Sequence, residues 1–490
     1  MAFRMSLFSG SKDYQFYAAG RWQDGDTKIE VLNPADESVL ATTPDATAAQ
    51  CTEALEFAKQ AQKAWGKLTG VERGNCLRKW ADLVDERKEK FAQLLSQEVG
   101  KPIREARGEI DFGNSWLRYF AGFDRHIEGE ILSADQPNEQ LWLVPQPAGV
   151  AVAVIAWNFP YAVACRKLAP ALIAGCAIVL KPHEDTPLTA LELAKLAEEA
   201  GIPPGIVNVV TGRGATAGAA LTSSPLADVI SFTGSVKTGK LIAKAAAENV
   251  TFASLELGGK APFLVLNDAD VDEAVEIAVF SRFLNCGQIC TANERTYVQR
   301  GVYEQFLEKY VAKVEGLSVG NPLDEDMYLG PKVNKTELEK VDRMVQAAVA
   351  GGATALTGGG LFEREGKYEK GYWYKPTVIT GVDNSNPLMQ DEIFGPVSPV
   401  APFDDFDEGI ALANDTRFGL AGYLVTNDMN KIMRAIRDLE LGELYINRGC
   451  VESIHGYHTG WKQSGVGGDD GKKGLEHYLR YKSVYLKYQG

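Results

Sequence analysis

The alternation of short apolar stretches with helical patterns between residues 149 and 247 is the feature that most constrains the fold of this chain. Residues 150–156 form a continuous apolar stretch, as in strands that are buried on both faces of a sheet. Further strands are predicted at 177–180, 206–210 and 229–232, with helices at 162–174, 189–200, 215–222 and 238–247. This order predicts a doubly wound parallel sheet, in which ligands bind beyond the carboxyl ends of the strands.

Patterns on either side of this region extend the prediction to a second α/β domain. Upstream, apolar residues at helical spacing predict helices over 47–68, 71–99 and 103–120. Downstream, helices are predicted near 271–283, 303–314, 335–350 and 406–414, and strands near 296–299, 396–403, 421–426 and 443–447. Residues 479–487 predict a terminal strand, which pairs either within its own domain or across a subunit edge.

Charge and cysteine usage exclude several classes of protein. Lys plus Arg number 51 and Asp plus Glu number 65, so the net charge of −14 argues against a broad nucleic-acid surface. The first six residues lack the apolar segment of a signal peptide, and the chain has no uncharged run of the roughly 18 residues that span a membrane. Seven cysteines without C-x-x-C spacing indicate neither a disulfide framework nor a structural zinc site. We therefore expect a cytoplasmic protein with no nucleic-acid or membrane partner.

Two glycine-rich segments follow predicted strands. Residues 212–218 approach a dinucleotide fingerprint, but the third glycine is one position late and no acidic residue follows about 20 residues on. A dinucleotide site and a plain strand–helix turn both remain open there. Residues 234–241 match G-x-x-x-x-G-K, yet Leu241 stands where a phosphate loop needs a hydroxyl for magnesium. This excludes a nucleotide hydrolase and leaves a close backbone approach to a ligand at a helix N-terminus.

Two glutamates carry the first chemical predictions. Glu184 lies three residues after Lys181, so the pair is spaced to hold the two hydroxyls of a ribose. A carboxylate there repels a 2′-phosphate and favours NAD over NADP, although a protonated His183 would tolerate the phosphate. Glu256 ends an apolar stretch, where burial raises a carboxyl pKa toward neutrality. That suits a general base, with a buried ion pair as the alternative.

Six motifs in one order resemble the NAD(P)-dependent aldehyde dehydrogenase superfamily. They are Trp157-Asn-Phe-Pro160, Lys181-Pro-His-Glu184, Phe232-Thr-Gly-Ser235, Glu256-Leu-Gly-Gly-Lys260, Gly287-Gln-Ile-Cys290 and Glu392-Ile-Phe-Gly-Pro396. The resemblance implies two doubly wound Rossmann-type α/β domains plus a small β oligomerisation element. It assigns residues 1–126 and 147–257 to an NAD-binding domain, 258–462 to a catalytic domain, and 127–146 and 463–490 to the oligomerisation element. It also implies a homodimer or homotetramer.

The resemblance implies a role for each residue of the site. Cys290 is the nucleophile, Asn158 stabilises the oxyanion, and Glu256 activates water to release a free acid. Lys167 belongs to a proton relay, in which Asp469 stands where many members carry glutamate. The implied cofactor is NAD, with NADP possible, and no metal is implied. The residues implied to bind the cofactor are Ile155, Trp157, Lys181, Glu184, Gly214, Gly218, Phe232, Thr233, Gly234, Ser235, Leu257, Glu392 and Phe394.

Within the superfamily the chain most resembles the lactaldehyde and glycolaldehyde branch. By that resemblance, Arg166, Glu452 and His458 contact a small 2-hydroxyaldehyde. Gly449-Cys450 and His455 depart from the branch, so a larger sugar aldehyde remains open. A semialdehyde whose remote carboxylate binds Arg166 is the alternative substrate, and a catalytically silent structural protein is the alternative of another class.

Two further features of the sequence, one cysteine and one pair of histidines, have competing interpretations. Cys286, placed one helical turn before Cys290, is predicted to be a packing residue, with a redox partner as the alternative. His455 and His458 form a potential metal pair, but the sequence offers no third ligand nearby.

Overall fold

A computed structural model describes residues 12–489. The strands, in chain order, are β1 (Phe16–Ala18), β2 (Arg21–Gln23), β3 (Lys28–Leu32), β4 (Val39–Pro44), β5 (Glu130–Leu132), β6 (Glu139–Pro147), β7 (Val150–Val154), β8 (Ala177–Lys181), β9 (Val207–Val209), β10 (Val229–Thr233), β11 (Phe252–Glu256), β12 (Ala261–Val265), β13 (Asn293–Gln299), β14 (Thr354–Thr357), β15 (Thr377–Thr380), β16 (Val397–Phe403), β17 (Phe418–Gly419), β18 (Ala421–Val425), β19 (Glu443–Ile446), β20 (Trp461–Lys462), β21 (Gly465–Val466) and β22 (Leu479–Lys487).

The α-helices, in chain order, are α1 (Ala48–Trp65), α2 (Gly70–Asp85), α3 (Lys88–Val99), α4 (Ile103–Ala121), α5 (Pro160–Ala174), α6 (Leu188–Glu199), α7 (Ala219–Thr222), α8 (Val236–Glu248), α9 (Val271–Phe283), α10 (Arg300–Glu315), α11 (Lys335–Ala350), α12 (Pro387–Gln390), α13 (Phe406–Asn414), α14 (Met429–Asp438) and α15 (Gly471–Glu476). The order of alternating strands and helices confirms the predicted α/β class.

The first sheet has the strand order β2-β1-β9-β8-β7-β10-β11-β21. Its five central strands, β9 to β11 in that order, are parallel. Of these five strands, β7 comes first in the chain, and the other four lie on both of its sides. The strand order therefore reverses between β7 and β10, which opens a crevice beyond their carboxyl ends. This is the predicted doubly wound sheet.

The second sheet, β14-β15-β16-β13-β12-β18-β19, is built by the same rule around β12. Strands β15 to β19 are parallel in that order, and only β14 among its described strands runs antiparallel. Sequence patterns did not predict β12, because it contains Pro262 next to a register shift at Ala261. The two sheets and their helices bury separate hydrophobic cores.

One predicted helix is wrong in its extent. The structure divides residues 71–99 into α2 and α3, with Arg87 in a non-helical conformation between them. Val84 and Phe91 are both buried and lie seven residues apart, so the apolar spacing continues across the break and conceals it. The side chain of Arg87 donates a hydrogen bond to the Leu83 carbonyl at 2.9 Å. This carbonyl is one of the last in α2, which have no partner within the helix.

The predicted terminal strand is present and pairs within the chain. Strand β22 runs antiparallel to β6 over nine residue pairs, and β5 completes a three-stranded sheet. The segment 463–490, predicted to belong to the oligomerisation element, also contains a strand and a helix that contact the first sheet and its helices. Its strand β21 pairs with β11 at the edge of the first sheet, and its helix α15 contacts α5. Among residues 12–489, no helix is long and apolar enough to cross a membrane.

Candidate active site

A cavity of about 450 Å³ lies where segments of the two large sheets meet. Its walls come from helices α4, α5 and α11, the loops after β7 and β19, the ends of β10 and β11, and the segments before β13 and β16. The predicted site residues that line it are Trp157, Asn158, Arg166, Thr233, Gly234, Ser235, Glu256, Leu257, Cys290, Glu392, Phe394, Glu452 and His458. The structure thus brings residues separated by up to 301 positions, Trp157 to His458, into one cavity.

Left-handed backbone, rather than a helix, leads to Cys290. Helix α9 ends at Phe283, and Asn285 and Cys286 adopt φ values of 50° and 57°. The prediction that Cys286 lies one helical turn before Cys290 is therefore wrong. Asparagine tolerates this conformation, and the Asn285 amide hydrogen-bonds the carbonyls of Asn158 and Gln288 at 3.0 and 3.3 Å. These bonds fix the loop that presents Cys290.

Cys286 lies in the core of the second domain. It is 2% exposed, and burial raises the pKa of its thiol to about 12. All seven cysteines are free, and only Cys76 and Cys290 are partly exposed. The position of Cys286 therefore matches a packing residue.

Asn158 is held from both sides. Its Nδ2 donates to the Gln288 carbonyl at 2.9 Å, and its own carbonyl accepts from Lys101 Nζ at 3.0 Å. Lys101 forms a fully buried ion pair with Glu109. Glu109 in turn accepts from the backbone N–H groups of Tyr161 and Ala162, at 3.0 and 3.1 Å, at the start of α5. The ion pair therefore fixes both the Asn158 loop and the helix that follows it.

Glu256 is a buried carboxylate at the end of β11. Neither of its oxygens has a hydrogen-bond partner within residues 12–489, although Oε2 lies 3.3 Å from His458 Nε2. Burial raises the pKa of Glu256 to about 8, with the positive charges of His458 and Lys167 opposing the rise. The side chain has the protonation behaviour that general-base chemistry near neutral pH requires.

His458 lies among three carboxylates. Its Nδ1 is 3.2 Å from Glu443 and 3.3 Å from Glu452, in addition to the contact between Nε2 and Glu256. Burial disfavours the imidazolium, but these carboxylates outweigh burial and raise the pKa of His458 well above its usual range. Burial also raises the pKa of the Cys290 thiol, and the positive charges of His458 and Arg166 oppose the rise.

Glu443, Glu452 and His458 also form a group with ligand atoms within 4.8 Å of one another. Glu443 is a third potential metal ligand, which the sequence did not indicate beside His458. The raised pKa of His458 favours the protonated imidazole, which carries no lone pair for a metal.

Arg166 lies in a network of buried charges. It forms ion pairs with Glu452 and with Asp470, the latter at 2.9 Å, and its guanidinium lies 4.5 Å from the Trp116 ring. The Trp116 indole donates to Asp470 at 2.6 Å. Burial raises the pKa of Asp470 to about 7, whereas Arg166 and His458 outweigh burial and lower that of Glu452 to about 2.

Lys167 lies behind this network and is fully buried. Its Nζ contacts Asp469 Oδ2 at 2.5 Å. Asp469 is joined to His458 by two backbone hydrogen bonds of 2.8 and 3.0 Å. The structure therefore places Asp469 beside the lysine for which the sequence had expected a carboxylate partner.

A second group of predicted residues lies along the strand ends of the first sheet, outside the cavity walls. Lys181 Nζ is 3.4 Å from Glu184 and donates to the Pro182 carbonyl at 2.7 Å. Ile155 N–H donates to the Lys181 carbonyl at 3.1 Å, which joins β7 to β8 at this point. Burial lowers the pKa of His183, whose Nδ1 accepts from the backbone of Asp185 at 3.2 Å.

The two glycine segments adopt different turns. Residues Gly214–Gly218 form a single π-helical turn, and a Cβ at Gly218 would lie 3.5 Å from the Lys181 side chain. At the other segment, Ser235 caps α8 by accepting from Thr238 N–H. The Phe232 ring is buried beside Gly234, where a Cβ would approach it to 2.5 Å. A side chain at residue 234 would therefore clash with the Phe232 ring, whereas one at residue 218 would make ordinary van der Waals contact with Lys181.

The segment 392–394 closes the opposite wall. Glu392 accepts from Gly259 N–H at 2.9 Å, and burial raises its pKa to about 7. The rings of Phe394 and Trp157 meet edge to face at 5.3 Å. Glu294 accepts from the N–H groups of residues 393 and 394 at 2.7 and 2.8 Å, and so anchors this wall to β13.

Sequence reasoning missed several residues that support the site. Glu109 carried a weak signal, since it is a charged residue on the apolar face of the predicted helix over 103–120. The others have no local pattern that marks them. The missed residues are Lys101, Glu109, Trp116, Glu294, Glu443 and Asp470.

Comparison with known proteins decides the family. The family model described as "Aldehyde dehydrogenase family" matches residues 22–484. The chain belongs to the aldehyde dehydrogenase family. It is 44% identical to a 3,6-anhydro-α-L-galactose dehydrogenase of Vibrio sp. (strain EJY3), over 97% of this chain and 100% of that protein. It is 41% identical to the lactaldehyde dehydrogenase of Escherichia coli (strain K12), over 94% and 96%.

Solved structures agree with this aldehyde dehydrogenase fold. A crystal structure of lactaldehyde dehydrogenase from Escherichia coli matches with a TM-score of 0.95 over 97% of this chain and 99% of that chain, at 41% identity. A betaine aldehyde dehydrogenase from Staphylococcus aureus in complex with NAD+ matches with a TM-score of 0.95 at 34% identity, over 98% and 96%. A D-glyceraldehyde dehydrogenase (NADP(+)) of Picrophilus torridus is 39% identical over 97% of this chain and 96% of that protein. The present protein is thus an NAD(P)-dependent aldehyde dehydrogenase.

Proposed function

We propose that this aldehyde dehydrogenase oxidises a small 2-hydroxyaldehyde to its carboxylic acid, with NAD as the preferred cofactor. The observation that carries the substrate assignment is the cluster of Arg166, Glu452 and His458 on one side of the cavity. Charged donors and acceptors of this kind stabilise a hydroxyl group beside the carbonyl. A hydroxyl group beside the carbonyl can hydrogen-bond these side chains, whereas a simple alkanal offers them no such group, which gives the site its selectivity.

Cys290 is the nucleophile in this proposal. Its thiolate attacks the aldehyde carbon and forms a thiohemiacetal. Asn158 uses one amide hydrogen on the Gln288 carbonyl and has a second to offer. That hydrogen and the backbone N–H of Cys290 stabilise the oxyanion.

Two groups of residues would hold the cofactor. Lys181 and Glu184 offer a donor and an acceptor, 3.4 Å apart, for the hydroxyls of a ribose. Glu392, Phe394 and Trp157 line the cavity, and the two rings meet each other edge to face. When bound, NAD(P) accepts the hydride that leaves the thiohemiacetal carbon.

Glu256 completes the reaction by activating water against the thioester on Cys290. Its raised pKa lets the carboxylate take up a proton near neutral pH. Lys167 and Asp469 form the inner end of the proposed proton relay, because both are buried behind His458. The product is then a free acid.

The preference for NAD rests on Glu184. Lys181 and the Gly214 backbone favour its ionised form despite burial, so the pKa of Glu184 lies below its ordinary value. A 2′-phosphate placed beside this carboxylate is repelled. Burial lowers the pKa of His183, so that histidine supplies no compensating positive charge at neutral pH.

An acidic semialdehyde is the competing substrate, and a glutarate-semialdehyde dehydrogenase of Pseudomonas putida is 41% identical to this chain over 96% of this chain and 97% of that protein. The charges around Arg166 argue against it. Glu452 and Asp470 already pair with the guanidinium, so a substrate carboxylate meets an arginine whose charge is neutralised. Cys290, Asn158 and Glu256 lie in one cavity, which argues against a silent protein.

Self-association is the remaining part of the proposal. The sheet β5–β6–β22 leaves large apolar side chains exposed, with Ile131 76% and Tyr485 80% accessible. Such side chains favour a homodimer or homotetramer built on this sheet. Light scattering of the wild-type protein and of Ile131→Glu measures the oligomeric state, and an unchanged mass for the variant counts against this surface.

The decisive experiment is a panel of aldehydes with both cofactors, followed by NADH or NADPH absorbance. Lactaldehyde and glycolaldehyde are expected to give the highest kcat/KM with NAD, and Cys290→Ala is expected to abolish turnover. A higher kcat/KM for succinic semialdehyde overturns the substrate assignment. Turnover by Cys290→Ala overturns the nucleophile.

A further inference from the structure

Lys332 is a buried lysine that no step of the proposed reaction uses. It is 0% exposed and does not line the cavity, so a ligand in the cavity does not touch it. Burial disfavours the ammonium and lowers the pKa of Lys332 to about 7. Its Nζ donates a hydrogen bond to the backbone carbonyl of Phe394. The contact that this lysine makes is therefore with a residue that does line the cavity.

The backbone of Phe394 is left-handed, with a φ of 54°. A bulky residue in this region is strained, and the conformation persists only where neighbouring groups hold it. Two buried side chains do so from the two ends of the residue. Glu294 accepts from its N–H at 2.8 Å, and Lys332 donates to its carbonyl. The conformation of this part of the cavity wall thus depends on side chains that lie behind it.

The amino group of Lys332 also lies close to two aromatic rings of the wall. Its Nζ is 5.8 Å from the centroid of the Trp157 ring and 5.9 Å from that of the Phe394 ring. An ammonium at this distance attracts both rings. The hydrogen bond to the Phe394 carbonyl does not require the charge, because an amine also carries N–H donors. Lys332 therefore holds the backbone of Phe394 in either protonation state.

We infer that Lys332 is a positioning residue for the dinucleotide cofactor: by holding the Phe394 carbonyl, it keeps Phe394 and Glu392 in the arrangement that binds NAD(P). The inference rests on the proposed role of Glu392 and Phe394 in cofactor binding, and it adds a residue that acts from outside the cavity. Glu392 lies two residues before Phe394 and accepts from Gly259 N–H at 2.9 Å. A change in the backbone at Phe394 therefore also displaces the Glu392 carboxylate.

Loss of the amino group should weaken cofactor binding without disabling the nucleophile. The Phe394 carbonyl loses its side-chain donor, and the strained backbone relaxes toward a more favourable conformation. Binding of the cofactor must then restore the productive arrangement, which lowers the affinity. Cys290 lies on a different loop, which is fixed by the hydrogen bonds of the Asn285 amide.

The test measures NAD binding by isothermal titration calorimetry, without an aldehyde. Lys332→Met keeps an unbranched side chain but removes the donor, and it is expected to raise the Kd for NAD about tenfold. Iodoacetamide alkylation of Cys290 in a Cys76→Ser background needs no cofactor, so its rate is expected to stay within about twofold of the wild type. The matched control is Lys335→Met, which changes a lysine whose side chain is 72% exposed and should leave the Kd unchanged.

A folded Lys332→Met variant that binds NAD with the wild-type Kd overturns the inference. Equal losses in NAD affinity and in alkylation rate also overturn it, because they indicate a general loosening of the site. Lys332→Gln keeps the inference testable if Lys332→Met does not fold. Its side chain ends one bond short of the Nζ position, so the direct bond is lost and the Kd should rise about threefold. An unchanged Kd for Lys332→Gln overturns the inference in that case.

Phe394→Ala separates this inference from the proposed function. If Phe394→Ala binds NAD as the wild type does, the proposed placement of the cofactor is refuted. If Phe394→Ala binds NAD weakly and Lys332→Met binds it normally, this inference alone is refuted. A wild-type enzyme that oxidises no hydroxyaldehyde, but whose variants show the expected differences in NAD binding, refutes the substrate assignment alone.

Discussion

The two sides of the cavity are built in different ways. On the cofactor side, Lys181, Glu184 and Ser235 lie at or just after strand ends of one parallel sheet. On the aldehyde side, Arg166 on α5 meets Glu452, 286 residues away, and both lie among further buried charges. The cofactor side therefore follows from sheet topology, which positions ligands at strand ends. On the aldehyde side, charged residues that are far apart in the sequence must come together in the fold. Substitutions there should therefore affect substrate selectivity and stability together.

The largest expected effect is that of Glu256→Gln, on the aldehyde side. Loss of the general base should slow steady-state turnover by about 10²–10⁴-fold. Hydride transfer precedes water attack, so a single turnover of NADH per subunit should remain. Rapid-mixing absorbance and the intact mass of the trapped thioester measure this. Loss of the burst together with turnover places Glu256 in thiol activation instead.

The buried ion pair between Lys101 and Glu109 supports both sides of the cavity, and its loss is expected to have the next largest effect. Glu109→Gln leaves Lys101 buried without its ion pair, which should cost about 3–5 kcal/mol in the free energy of unfolding. The matched control is Asp111→Asn on the same helix, where the pair with Lys88 is largely exposed and worth about 0–1 kcal/mol. Denaturant unfolding measures both, and equal losses contradict the structural role of the buried pair.

The cofactor side should respond in cofactor choice alone. Glu184→Gln removes the negative charge that faces a 2′-phosphate, and the ratio of kcat/KM for NADP to that for NAD should rise about tenfold. The ratio of kcat/KM for lactaldehyde to that for propanal should stay constant, because Glu184 lies outside the cavity walls. A change in the aldehyde ratio shows that the two sides are coupled.

Release of the acid should depend on pH through Glu256. The carboxylate is the active form, and its pKa is raised to about 8, so the rate of thioester hydrolysis should fall as pH drops below 8. Between pH 8 and pH 6 the expected loss is tenfold or more, since each unit below the pKa reduces the carboxylate about tenfold. A flat profile over this range in single-turnover hydrolysis contradicts the assigned base.

The smallest effect concerns Gly108, an exposed glycine within α4 that lines the cavity mouth. No atom lies within 4 Å of a Cβ built there, so packing does not require glycine. Gly108→Ala should stabilise the protein by about 0.5–1 kcal/mol. Gly108→Leu should reduce kcat/KM for bulky sugar aldehydes and spare glycolaldehyde. An equal reduction for both contradicts a role for Gly108 in the width of the mouth.

The sequence predicted much of the fold because apolar periodicity records burial locally. Helices α9 and α11 begin and end where the pattern placed them. Prediction from apolar periodicity failed where tertiary structure overrides the pattern. Pro262 concealed β12, and the spacing of seven between Val84 and Phe91 concealed the break between α2 and α3.

Some residues of the site could likewise be predicted from the sequence, and others could not. Glu256 and Cys290 were identified from motifs, and the structure brings both to the cavity with Asn158. Glu443 could not be identified, because nothing within its own segment separates it from a solvated glutamate. Its significance comes from His458, which lies 15 residues away in the chain and 3.2 Å away in space.

The central claim is that the aldehyde side selects a hydroxyl group next to the carbonyl. The most direct measurement compares Arg166→Ala with the wild type on lactaldehyde and on propanal, after melting curves establish that the variant is folded. Loss of a charged hydrogen bond should lower kcat/KM for lactaldehyde by about 10–100-fold, mainly through KM, and leave propanal nearly unchanged. An equal loss for both aldehydes would contradict the account.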